Sequence, residues 1–486
     1  MLFNQPLFLF AFLPAVLALY ALATAGARML SGGQLGSQRP RNLVLLLASL
    51  GFYFYGEQWL VLAMLASIAG NFLLGLGIGA ARSAGAVGRS RLYVGAGLLL
   101  NLGLLGYFKY ANFLVGSFVE GWIAIALPIG ISFYTFQALS YLIDVHRGDV
   151  AAQRDPFAFA LYIALFPQLI AGPIVRYRDL AAQLVERQVT LELFGSGVRR
   201  FVIGLSKKVL IADQVAWGAD QVYAYDAGEL SFALAWVGLL AYTIQIYFDF
   251  SGYSDMAIGL GRMLGFRFRE NFRWPYASRS ITEFWRRWHI SLSSWFRDYL
   301  YIPLGGNRKG PGRTYANLVI VFLLCGLWHG DAWAFVAWGA FHGLFLVLER
   351  RGLRERVAGC GSLVSWLYTV LVVMLGWNLF RSEELIPAAQ RYFALVGGGD
   401  AVDAAYRLGR LLQPSFVLAL LAGCLLSFPW LSWIAALRER DLAAQSKVGL
   451  WRVADALGTA GVIVLWVAAL SFSAASTYSP FIYFRF

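Results

Sequence analysis

Residues 279–313 read RSITEFWRRWHISLSSWFRDYLYIPLGGNRKGPGR, and from residue 317 the chain continues NLVIVFLLCGLWHGDAWAFVAWGAF to residue 341. The first stretch is crowded with arginines and tryptophans; the second is almost wholly apolar yet carries His329 and Asp331. An apolar run of about 20 residues is what a helix needs to cross a hydrocarbon core, because lipid offers no partners for unpaired backbone groups. The 317–341 run, broken near His329-Gly330-Asp331, reads as two membrane-depth helices too short to stand alone in lipid. Such half-depth pieces are tolerated where protein or a cavity surrounds them.

The rest of the chain agrees. It has 486 residues, 59% hydrophobic and 14% charged, whereas soluble domains carry roughly 25% charge. Apolar segments are expected near 5–26, 42–56, 58–80, 92–114, 122–144, 157–173, 199–215, 230–250, 316–328, 332–348, 363–380, 412–436 and 457–476. This is an all-α polytopic membrane protein, read as one transmembrane domain over 1–486 with a polar core region at 247–345. The first segment lacks a basic leader and a small-residue cleavage site, so it is expected to be a retained span. A tight turn is expected at Glu57-Gln58, and extramembrane connections at 174–195 and 381–407. Arginines at 28, 39, 41, 82, 89 and 91, and basic residues at 438, 440, 447 and 452, mark cytoplasmic loops by the positive-inside tendency. That tendency and membrane lipid head groups account for the formal charge of +13 without a nucleic-acid partner. Cys325, Cys360 and Cys424 have no disulfide or zinc spacing.

At 100° per residue, a helix over 281–298 places Phe284, Trp288, Leu292 and Trp295 on one side, Arg287, Ser291 and Ser294 opposite, and His289 at the margin. Two readings fit: a helix lying at the membrane surface, or one lining a protein cavity. In YIPLGGNRKGPG the glycines and prolines end any helix, leaving Asn307, Arg308 and Lys309 in a basic turn without phosphate-loop spacing. His329 is an intramembrane ionisable group, which points to function, although a hydrogen-bonded structural histidine fits the same position. Asp249, Tyr253 and Asp255 close the apolar run at 230–250, and the aspartates are expected either to be hydrated or to pair with arginines of 279–298. No histidine spacing implies a metal.

Five composite motifs go further: PIGISFYTFQALSYLIDVHRG (128–148), LFPQLIAGPIVRYRDL (165–180), YFDFSGYSDMAIGLGRMLGFRFRENF (247–272), TEFWRRWHISLSSWFRDYLYIPLGGNR (282–308) and GLWHG (326–330), with PFIYFRF at 480–486. Together they resemble the membrane-bound O-acyltransferase family. The resemblance implies about eleven spans plus re-entrant or interfacial helices around a central channel. It makes His329 and His289 the catalytic pair, with Trp328, Trp288, Arg287, Asp255, Tyr253, Asn307, Arg308 and Lys309 as donor or channel candidates. It implies acetyl-CoA as acyl donor, approached from the cytoplasm of a bacterial inner membrane, and no metal. The expected partners are a periplasmic O-acetyltransferase subunit and exopolysaccharide export machinery. The expected product is an O-acetylated exported polysaccharide, alginate first, with cellulose, another exopolysaccharide or peptidoglycan as alternatives. A transporter is the reading from a different class, since broken helices also build substrate sites.

Overall fold

The computed structural model describes residues 1–30, 37–115, 125–382, 384–399 and 404–475. Among them regular structure is entirely helical. Among the described residues seven helical stretches are long and apolar enough to cross a membrane, Arg39–Ser83 counted as one, or eight if the pair Ala404–Leu411 and Pro414–Leu426, bent by 75°, is one span. That is fewer than the eleven expected, and the difference has a physical cause. Several apolar segments form short helices: Ile131–Arg147, Pro156–Ala164 and Trp333–Leu348 have 17, 9 and 16 residues. The first is buried along nearly its whole length, so protein rather than lipid surrounds it, as a helix of sub-membrane length requires. The start of the expected 122–144 segment and the 480–486 stretch lie outside the described residues.

The chain divides into two compact units, one of residues 1–201 and 256–269, the other of 202–255 and 270–486. In the first, Arg39–Glu57 and Val61–Ser83 are joined through Gln58, whose φ of 48° interrupts the helical path where the turn is expected. Asn71 and Asn101 exchange amide hydrogen bonds of 3.1 and 2.6 Å between Val61–Ser83 and Val87–Leu105. Polar pairs of this kind fix helix register where the hydrophobic effect between helices is weak. Arg187 is buried against Asn42 Oδ1 (2.6 Å) and the Tyr20 hydroxyl (3.1 Å), its guanidinium lying over the Phe266 ring.

The second unit holds the polar core region apart from residues 256–269. Its hairpin, Gly310–His329 followed by Trp333–Leu348, packs backbone on backbone. A Cβ at Gly326 would lie 2.2 Å from the Phe335 carbonyl oxygen, and one at Gly339 2.3 Å from that of Phe322. These two glycines allow a separation no other residue permits.

Candidate active site

The expected single helix over 281–298 is two: Ile281–Arg287 and Ile290–Phe296, broken at Trp288-His289. The segment just before it causes the break. In an unbroken helix the Arg287 carbonyl would accept from the Ser291 N–H, and the Ile290 N–H would seek the Arg286 carbonyl. Instead the Arg287 carbonyl accepts from the Arg273 N–H at 3.0 Å, and the Ile290 N–H donates to the Asn271 carbonyl at 2.9 Å. The Ser291 N–H and hydroxyl both donate to Asn271 Oδ1, at 3.1 and 2.9 Å. His289 is left at φ 43°, ψ 54°. A left-handed non-glycine residue costs of order 1–3 kcal/mol and persists where its surroundings over-determine it, characteristically at functional sites.

The surface-helix reading fails here, since Phe284, Trp285, Trp288, His289, Leu292, Trp295 and Phe296 are all buried. The His289 ring lies 4.6 Å from that of Phe250 and 6.1 Å from that of Trp328, and neither of its nitrogens has a hydrogen-bond partner among the described residues. His289 lies outside the long spans, and burial pushes its imidazole down to about 3, so it is neutral at physiological pH.

His329 ends the helix Gly310–His329, where Gly330 turns to extended backbone at φ −163°. A side chain at Gly330 would collide with the Phe335 ring at 2.1 Å, so glycine lets the chain fold back directly after the histidine. The imidazole, 4% exposed, is ringed by Trp328 (4.9 Å), Phe380 (5.1 Å) and Trp338 (5.2 Å). It opens on a small void of about 10 Å³, lined otherwise by Ile246, Phe250, Trp288, Trp338, Trp377 and Phe380. The two histidines therefore share neighbours: Phe250 lines the void of one and packs on the other, and Trp328 lies near both. A second, larger cavity of about 600 Å³ lies beside the same broken helix, with Trp285, Arg286, Ser293, Ser294, Arg297 and Cys325 in its wall. Trp285 in that wall and Trp338 in the wall of the small void meet edge to face at 5.6 Å.

Of the other expected site residues, Trp288 and Trp328 belong to this aromatic cluster. Arg287 pairs with Glu283 at 2.6 Å, each about a third exposed, and lines neither cavity. Tyr253 is buried but lies in neither wall. Asp255 pairs with Lys207 at 2.7 Å, and Asp249 with Lys208 at 2.8 Å; Lys208 also holds Asp213 at 2.7 Å. These aspartates, expected either to be hydrated or to pair with arginines of 279–298, pair with two lysines from an earlier helix. Asn307, Arg308 and Lys309 form an exposed turn after Gly305 and Gly306, both at positive φ, with the Tyr301 hydroxyl donating to Asn307 Oδ1. None of the three lines either cavity.

Sequence reasoning missed Ile246, Phe250, Trp338, Trp377 and Phe380, and weighed His342 only as a metal ligand; it is buried, its ring 5.2 Å from that of Trp338. Trp377 and Phe380, three residues apart in an apolar run, carry the signature of any helix face in a membrane. Only the concentration of tryptophans near the histidines hinted at such a cage. Among the described residues no group of three or more His, Cys, Asp or Glu could hold a metal ion.

This geometry, a buried imidazole at the end of a membrane helix facing a ring-walled void, lies in the region that known proteins share. The sequence model of the MBOAT, membrane-bound O-acyltransferase family, matches residues 131–354. The probable alginate O-acetylase AlgI of Pseudomonas putida is 44% identical over 517 aligned positions, covering 100% of both chains. That of Azotobacter vinelandii is 48% identical, covering 82% of this chain and 79% of its own length. The peptidoglycan O-acetyltransferase of Helicobacter pylori is 37% identical, covering 82% and 80%. The chain belongs to the membrane-bound O-acyltransferase family. It is a multi-pass membrane O-acyltransferase.

Proposed function

We propose that this enzyme moves acetyl groups from acetyl-CoA at the inner membrane for O-acetylation of an exported polysaccharide, alginate first, with His329 as general base. The observation that carries the site assignment is the buried His329 imidazole on a void walled by carbon. The alginate assignment rests on full-length likeness to a probable alginate O-acetylase.

A hydroxyl is far too weakly acidic to attack a thioester as its anion at neutral pH. A neutral imidazole that accepts the hydroxyl proton as the new C–O bond forms lowers that barrier by a factor of roughly 10²–10⁴. The tetrahedral intermediate then expels the CoA thiolate, which takes the proton back from His329 and leaves as the free thiol. The ester product, CoA thiol and neutral base balance the step. His289 would orient the acceptor or share its proton. Basic Arg286 and Arg297 in the wall of the 600 Å³ cavity suit the donor's phosphates, and its apolar interior suits the pantetheine arm. Arg308 and Lys309, in an exposed turn, fit a more peripheral encounter with the same anion. A periplasmic acetyltransferase partner, working with the export machinery, would carry the acetyl group to the polymer.

The test is reconstitution of the purified chain in vesicles with labelled acetyl-CoA, the partner subunit and a choice of polymannuronate, cellulose and peptidoglycan. Label should reach polymannuronate, and His329→Ala should reduce transfer at least about a hundredfold with its folding unchanged. Label on peptidoglycan alone would transfer the assignment to the chemistry named for the Helicobacter relative. Full transfer by His329→Ala would overturn the mechanism, and uptake without chemical turnover would make the protein a transporter.

A further inference from the structure

We infer that the void beside His329 seats the acyl group during transfer, and that Ile246 and Phe380 confine that group to two carbons. This rests on the acyl-transfer reading and adds to it the residues that set acyl length.

The void is about 10 Å³, close to one water-sized sphere. A bound water needs two to four polar partners; the polar atoms of this lining are those of the His329 imidazole and the indole N–H groups of Trp288, Trp338 and Trp377. Apart from His329 its walls are Ile246 and five aromatic rings. The Trp377 N–H is already given to the Tyr276 hydroxyl at 3.1 Å, and that hydroxyl donates to the Thr243 carbonyl at 2.7 Å. A one-sphere space beside a base, walled mostly by ring carbon, suits a methyl group next to a carbonyl. The same lining holds a candidate donor for the acyl carbonyl: Trp338 is wholly buried, and its N–H lacks a hydrogen-bond partner among the described residues. Carbon wall and unspent donor together describe an acetyl group.

The walls cannot easily retreat. Trp288 and Trp377 pack at 4.9 Å, Trp377 and Phe380 at 5.4 Å, and Trp338 and Phe380 at 5.1 Å. Phe380 is held on a further side by Phe335 at 5.2 Å. Rings interlocked in this way resist an added methylene, since packed interiors behave like crystals rather than liquids. Ile246 is the one aliphatic wall, 2% exposed and one helical turn before Phe250. It is the place where volume can be added without removing a ring.

The experiment compares acetyl-, propionyl- and butyryl-CoA as donors to one acceptor, using the intact chain with its partner. The native chain should favour acetyl over propionyl by about tenfold or more in kcat/KM, the range one methylene commands in a fitted pocket. Ile246→Ala and Phe380→Leu should bring that ratio down by about tenfold through a gain on propionyl-CoA. Ile246→Val should fall between, and decides the matter should the larger deletions fail to fold. Equal use of all three donors by the native chain, or an acetyl preference unmoved in folded Ile246→Val and Ile246→Ala, would overturn the acyl-length assignment while leaving acetyl transfer standing. Absence of acetyl transfer by the native chain would instead overturn the functional reading beneath it.

Discussion

Asn271 holds Ser291 twice through one oxygen: its Oδ1 accepts both the backbone N–H at 3.1 Å and the hydroxyl at 2.9 Å. Through this clip and its own carbonyl, Asn271 takes over donors that would otherwise extend the helix through His289. Its role is therefore to keep His289 in the left-handed conformation that places its ring beside Phe250.

Asn271→Ala leaves the buried Ser291 N–H without its acceptor, which costs about 1–3 kcal/mol. Lower thermal stability in detergent is expected, together with a fall in kcat as the 288–291 turn relaxes. Ser291→Ala removes the hydroxyl's bond to Asn271 and keeps that of the N–H, and should cost about 1 kcal/mol. Equal stability and turnover in Asn271→Ala and the native protein would remove Asn271 from this role.

Lys208 supports the neighbouring helix by a different device. Its ammonium, 1% exposed, sits between Asp213 and Asp249, and Asp249 directly precedes the cavity residue Phe250. Removing one member of a buried ion set strands the remaining charges, at about 3–5 kcal/mol. Lys208→Met should lose that much stability because it strands two carboxylates. Asp249→Asn should lose less, since Lys208 keeps Asp213. Thermal unfolding of the two variants side by side checks the order; a Lys208→Met protein no less stable than Asp249→Asn would contradict it.

How far these relations were legible follows from the range of the forces involved. The membrane class was readable because the cost of an unpaired backbone in lipid acts on every residue of a span, and so marks long runs such as Val448–Ala475. His329 was readable because an ionisable side chain in such a run stands out against its neighbours. The break at His289 was not, since its cause is Asn271, which lies 18 residues earlier and whose side chain competes with helical bonds only once folded. Helical periodicity carries no trace of that competitor. The partners of Asp249 and Asp255 were hidden for the same reason: Lys207 and Lys208 stand about 40–50 residues away, inside a segment that reads as ordinary amphipathic helix. The apolar segments expected outnumber the long spans among the described residues because hydropathy sees an apolar helix but not whether lipid or protein surrounds it, as with the buried Ile131–Arg147.

Glu349 ties the broken helix to the hairpin that bears His329. Its two carboxylate oxygens accept the Ile281 N–H at 2.6 Å, and the Thr282 N–H and hydroxyl at 2.9 and 2.7 Å, at the start of Ile281–Arg287. A carboxylate there satisfies unpaired N–H groups and meets the positive end of the helix dipole. Glu349→Gln keeps one acceptor oxygen, sets an amide N–H₂ against backbone donors and removes the charge. A loss of about 1–2 kcal/mol is expected, and Glu349→Ala should lose more. Unfolding temperatures measured in one detergent would read this; a neutral Glu349→Ala would show that the cap is not needed.

Trp338 separates a packing role from a chemical one. Its ring touches His329 at 5.2 Å and Phe380 at 5.1 Å, so any large aromatic residue would preserve most of the wall. Its buried N–H, lacking a partner among the described residues, is what phenylalanine would not reproduce. A donor that meets the carbonyl oxygen chiefly as it becomes an oxyanion acts on the transition state more than on bound substrate. Trp338→Phe should therefore lower kcat for acetyl transfer by about a hundredfold, the scale of losing one such donor, with KM for acetyl-CoA changed little. A ring that serves only as packing predicts the opposite pattern: reduced thermal stability, a kcat within a few-fold of native, and donor selectivity relaxed toward propionyl-CoA because phenylalanine is smaller. Steady-state kinetics with acetyl- and propionyl-CoA on the folded variant distinguishes the two.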